Sequence, residues 1–145
     1  MILRFLDKYR DIGLLILRVG IGIMFMIHGL PKLTAGPEKW VMLGGTMKAL
    51  GVGFAPMAWG FMAALSEFGG GLLLALGFFT RPACIFLLAT MIVAAVMHIS
   101  KGDPFVKYSH AMEAGTLFLS LILIGPGKYS LDDQIRTAKG SDTQS

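Results

Sequence analysis

The chain has 145 residues, a formal net charge of +4 and a mean hydropathy of +0.68; 54% of its residues are hydrophobic and 15% are charged. That is too apolar for an ordinary soluble domain and short enough for a single one. The basic residues cluster at the ends of apolar runs, where anionic headgroups suit them, and no basic stripe interleaved with aromatics marks a nucleic-acid binder.

Residues 1–10 read as an amphipathic lead-in, because the apolar run behind them is too long for a cleaved leader and no small-x-small site follows. A first membrane span is expected over residues 11–30, closed by Gly29 and Pro31 as a helix stop. It contains Arg18 and His28. The loop 32–53 carries Trp40, Lys39 and Lys48 between broken apolar runs, the pattern of a short interfacial helix. A second span is expected over 54–79, with Glu67 near its centre. The tight connection Thr80-Arg81-Pro82 turns it into a third span over 82–100, which ends at His98. A fourth span over 110–125 opens with His110 and Glu113. Each run is close to the ~20 residues that cover a ~30 Å hydrocarbon core. Beyond Gly125-Pro126-Gly127 the chain is hydrophilic, and residues 133–145 are expected to be a disordered tail on a single domain of residues 1–132.

The expected fold class is therefore an all-α membrane protein, an antiparallel four-helix transmembrane bundle with a short interfacial helix after the first span. Arg4, Lys8, Arg10, Arg81, Lys128, Arg136 and Lys139 fall on one side of it, against Lys32, Lys39, Lys48, Lys101 and Lys107 on the other. This bias places both termini in the cytoplasm. Ser66-x3-Gly70 and Gly71-x3-Ala75 are small-residue pairs that let helix backbones approach closely. Cys84 is the only cysteine, so no intrachain disulfide forms, and its apolar surroundings read as core.

A charge at membrane depth costs at least ~2.5–3.5 kcal/mol and is usually turned inward and paired. With a rise of ~1.5 Å per residue, Glu67 falls near the midplane and Arg18 within side-chain reach of it. An Arg18–Glu67 ion pair is the expectation. His28, Lys32, His98 and Glu113 gather instead in one half of the bundle, and are the expected ligand-binding residues. Three readings of that group stand open: ordinary polar helix ends, the mouth of a binding cavity, or a haem site with His28 and His98 as ligands. No sequence-local metal motif is present.

Arg18, His28-Gly29-x-x-Lys32, Glu67-x-Gly69-Gly70, Gly77-x-x-Thr80-Arg81, His98, Glu113 and Gly125-Pro126-Gly127-x-Tyr129-Ser130-Leu131-Asp132 together resemble the DoxX family, over about residues 12–132. The sequence departs from the family pattern only in extending the glycine doublet to Gly71. The resemblance implies a small bacterial inner-membrane protein with four helices, of a kind linked to redox and thiol stress in association with other proteins.

The first functional reading is a protein that binds a small apolar or quinone-like molecule and serves redox homeostasis with a soluble or membrane redox partner. His28, His98 and Lys32 would supply donors to quinone carbonyls. No complete catalytic motif is present, so the chain is at most the membrane subunit of a quinone-linked oxidoreductase. The second reading is a small oligomeric transporter using Glu67 or Glu113 as an intramembrane carboxylate, and the third is a structural membrane partner.

Overall fold

A computed structural model describes residues 4–142, all of whose regular structure is helical. A 3₁₀ turn, Arg4–Tyr9, leads into α1 (Arg10–Thr34). Then come the short α2 (Pro37–Gly44), a 3₁₀ turn at Gly45–Leu50, and α3 (Pro56–Leu76). The chain continues through α4 (Thr80–Ser100), α5 (Ser109–Ile124) and α6 (Leu131–Asp142). Phe5–Thr34, Pro56–Leu76 and Thr80–Ser100 are long and apolar enough to cross a membrane. The run expected as a fourth span is apolar but only 16 residues long, about 24 Å of helix against a ~30 Å hydrocarbon core.

Pro31 does not stop α1, which runs one turn further to Thr34. Proline removes an N–H and crowds the carbonyl four residues earlier. Here the end of the helix is held from outside by Trp40, whose Nε1 donates to Lys32 O at 3.0 Å, and from within by Thr34, whose Oγ1 donates back to Leu30 O at 2.9 Å. The extra turn keeps Lys32 on the helix, which matters below.

α3 is the hub, packing against α1, α2 and α4, while α4 also packs against α5. Close approach sets the register of α1 on α3. A Cβ at Gly22 would meet Gly71 O and Ala75, and one at Gly29 would run into the backbone of Glu67 and Phe68. Without hydrophobic drive in lipid, such backbone contact is what lets two membrane helices associate. Leu74, Leu87, Phe118 and Leu121 fill the centre with Cys84, which is buried as expected. Phe25 of α1 meets Phe118 of α5 edge-on at 4.9 Å. Outward faces are aliphatic, with Ile16, Ile23, Ile27, Ile85, Ile92 and Leu123 all exposed. A monomer in water does not carry an apolar surface of this extent.

The far end is pinned by Asp132. Its two carboxylate oxygens accept the N–H groups of Phe79 and Thr80 at 2.8 and 2.9 Å, capping α4 from a residue more than fifty positions away. The tail expected to be disordered from residue 133 is helical as far as Asp142; residues 143–145 lie outside the described part. Ser130 Oγ accepts the Asp133 N–H at 3.2 Å, and Asp132 and Asp133 sit in the first turn, where the helix dipole favours them.

Candidate functional site

The expected Arg18–Glu67 pair does not form. Arg18 is fully buried, and its guanidinium donates to two main-chain carbonyls, Leu74 O at 3.3 Å and Tyr129 O at 2.6 Å. Glu67 instead receives Lys32 Nζ on both oxygens, at 2.6 and 2.8 Å. The register explains the exchange. Gly29 lies against Glu67, so Lys32 is one turn beyond it, whereas Arg18 lies against Gly77. Leu74 is two turns from Glu67, about 10 Å along α3. The Glu67 side chain is 7% exposed and that of Lys32 34%.

The pair opens into a cavity of about 370 Å³ between α3, α4 and the segment 43–47. Its walls are mainly apolar: Met62, Ala63, Phe86, Ala89, Val93, Ala94 and Met97. Its polar groups are few. Lys32 and Glu67 stand on one side, and Trp59 and His98 also line it. Thr90 Oγ1 donates to Ser66 Oγ at 3.2 Å across the α3–α4 contact. Trp59 Nε1 is buried and has no acceptor among the described residues. A buried donor without a partner is costly, and such groups are often completed by a bound molecule or water.

His98 is oriented from the loop behind it. Its Nδ1 lies 2.7 Å from Asp103 Oδ2, and Lys107 Nζ donates to the other oxygen at 2.9 Å. Those hydrogen bonds, His98 first and Lys107 second, hold the Asp103 carboxyl below its ordinary range. An ionised Asp103 can only accept, so Nδ1 is the donor in this bond; Nε2 has no hydrogen-bond partner among the described residues.

Lys32 and His98, two of the four residues expected to bind a ligand, thus line one cavity. His28 and Glu113 do not line it. His28 is exposed, with Nδ1 2.7 Å from Met24 O in its own helix, and its ring centroid lies 6.1 Å from that of His110. Glu113 is exposed on α5 and has no hydrogen bond among the described residues. Of the two histidines considered as haem ligands, His98 lines this cavity and His28 does not. Trp59, Ser66, Thr90 and Asp103 were not legible as site residues. Trp59 sits at the start of an apolar run with no local signal, whereas the spacing of Asp103 five residues after His98 was a usable one.

A wider groove, about 660 Å³, lies at the other end, lined by Arg10, Asp11, Arg81, Lys128, Asp132 and Arg136 among others. Its carboxylates already serve the fold. Asp132 caps α4, Asp11 accepts the Lys128 N–H at 3.1 Å, and Asp133 pairs with Arg136. The α3–α4 cavity, with mainly apolar walls beside the Lys32–Glu67 pair and His98, is the better candidate site.

Residues 13–99 match the DoxX family model. The chain is 33% identical over 135 residues to the inner membrane protein YqjF of Escherichia coli, covering 88% of this chain and 95% of that one. It is 32% identical over 140 residues to the inner membrane protein YphA of the same organism, covering 90% and 96%. A third relative, from Bacillus subtilis, is 33% identical over 100 residues, 69% of each chain, and carries the name "Putative oxidoreductase CatD". No solved structure matches the chain.

Proposed function

Because this chain belongs to the DoxX family of membrane proteins, we propose that it is an inner-membrane protein whose α3–α4 cavity binds a small apolar or quinone-like molecule. In this reading α1, α3, α4 and the shorter α5 form an antiparallel four-helix bundle in one domain, with both termini cytoplasmic. The observation that carries the proposal is the cavity itself: mainly apolar walls, with Lys32 and His98 among the few polar groups that would orient a ligand's head. A quinone ring presents two carbonyl acceptors, and Lys32 on the cavity wall carries a donor, Nζ. Glu67 balances the lysine charge, so a neutral ligand suits the site better than an anion.

A role in redox homeostasis with a partner protein is supported only by the name of the Bacillus subtilis relative. In that role the chain holds the quinone while electrons arrive from elsewhere, as a membrane subunit would. Transport through an intramembrane carboxylate is the weaker reading, since Lys32 already neutralises Glu67 at 2.6 Å and Glu113 does not line the cavity.

The test uses the two tryptophans. In a Trp40→Phe background, Trp59 is the sole indole, and a short-chain quinone added to the protein in mild detergent is expected to quench it saturably. Lys32→Met should weaken that quenching roughly tenfold, the loss of about 1.4 kcal/mol from one hydrogen bond. Quenching that rises linearly with quinone, or is indifferent to Lys32→Met, would falsify the site.

A further inference from the structure

Resting on the reading that α5 lies in the membrane, we propose that the outward face of α5 is the interface between two copies of this chain. α5 is apolar, yet its polar residues are concentrated on one side. His110, Glu113, Thr116 and Ser120 recur at spacings of three and four, within an arc of about 120° on the helix. All four are exposed. The opposite side, Ala111, Ala114, Phe118 and Leu121, is buried in the core. A membrane helix normally turns such polar groups inward; this one turns them out.

Glu113 is the sharpest case, being exposed with no hydrogen bond or ion pair among the described residues. Beside it, the His110 side chain makes only ring contacts among the described residues, 6.4 Å from Phe25 and 6.1 Å from His28. His28 is also exposed, so two imidazoles and a carboxylate share one outer surface within about one helical turn of depth.

That composition selects the occupant. Copies of one chain insert the same way round, so a closed pair must be related by a two-fold axis along the membrane normal. Such an axis brings residues of equal depth together. A face with only carboxylates would offer acceptors and no donors there. This face carries both at one level, so each Glu113 meets the imidazoles of the other copy, and Thr116 and Ser120 meet their equivalents one and two turns further on. Polar contacts of this kind are a principal adhesive between helices in lipid.

Disulfide crosslinking in native membranes tests it. Ser120→Cys and Thr116→Cys are compared with Ile92→Cys, on the exposed face of α4; the buried native Cys84 stays in place. The expected result is a covalent species of twice the chain mass for Ser120→Cys and Thr116→Cys and none for Ile92→Cys. Adding Glu113→Gln to Ser120→Cys should reduce the yield to that of Ile92→Cys. Absence of the dimer from both α5 variants, a product of any other mass, or a yield unaffected by Glu113→Gln overturns the proposal. A membrane-impermeant maleimide applied to Ser120→Cys separates the two levels of the argument. Ready labelling overturns the placement of α5 in the membrane and the interface with it, whereas a protected thiol that forms no dimer overturns the interface alone.

Discussion

Lys32 and Glu67 hold the centre of the site at the scale of single residues. The carboxylate is nearly sealed and takes both hydrogen bonds from one ammonium. Lys32→Met therefore strands a buried charge, and should lower stability in detergent by about 3 kcal/mol, the lower end for buried pairs because the lysine is one-third exposed. Removing both partners, as Lys32→Met with Glu67→Leu, should recover most of that loss. Thermal unfolding of the two variants checks both statements; equal stability of the single variant and the parent would show that the pair is not buried. Asp103 responds to pH in a defined direction. Its folded value is depressed by His98 and Lys107, so its stabilising effect is fully present above the ordinary carboxylate value of 3.8 and is lost as pH falls through the lower folded value. His98 should keep its Asp103 contact down to that acidic range, and Asp103→Ala, which removes the acceptor, should free the ring. The ring-proton resonances of His98 report this, and identical spectra in parent and variant would refute it.

Among the elements, the end of the molecule farthest from the site is locked by two polar devices. Arg18 ties α1 to the last turn of α3 and to the turn after α5, through the carbonyls of Leu74 and Tyr129. A Cβ at Gly77, whose φ is +67°, would collide with that guanidinium, so Gly77 serves both the turn and the lock. Arg18→Lys should not restore what Arg18→Met loses, because one ammonium cannot span both carbonyls as the planar fork does. Asp132→Ala removes two acceptors from the first turn of α4 and should cost about 1–2 kcal/mol. Amide exchange at Phe79 and Thr80 should accelerate selectively; unchanged exchange there would mean the cap is not formed. Helix packing near the cavity depends on Gly29 in the same way. Its replacement by Ala would force α1 away from Glu67 and Phe68, and should abolish ligand binding while the helical circular dichroism is kept.

For the molecule as a whole, the exposed aliphatic belt of α1, α3 and α4 is the surface a bilayer covers. The proposed topology places the segment after Asp132 in the cytoplasm. A phosphatase fusion at that position should be inactive and a cytoplasmic reporter active, and the reverse pattern would invert the protein in the membrane. What the sequence alone determined was of long range along the chain but one-dimensional: the apolar runs, the short helix between the first two, and the family resemblance carried by Arg18, Glu67 and the Gly125–Asp132 segment. These follow from composition and spacing, which need no partner. Pairing was decided only by tertiary structure. Depth counted from span ends put Arg18 beside Glu67, because Pro31 was expected to end α1; the helix runs a turn further, with Trp40 bonded to Lys32 O from outside and Thr34 to Leu30 O from within. The Gly22–Gly71 and Gly29–Glu67 contacts then slide α1 until Lys32, not Arg18, faces the carboxylate. Rotation about the helix axis likewise separated His98, which lines the cavity, from His28 and Glu113, which do not. A run of apolar residues specifies how far a helix reaches, but which side of it faces inward is settled by the backbone contacts its small residues permit.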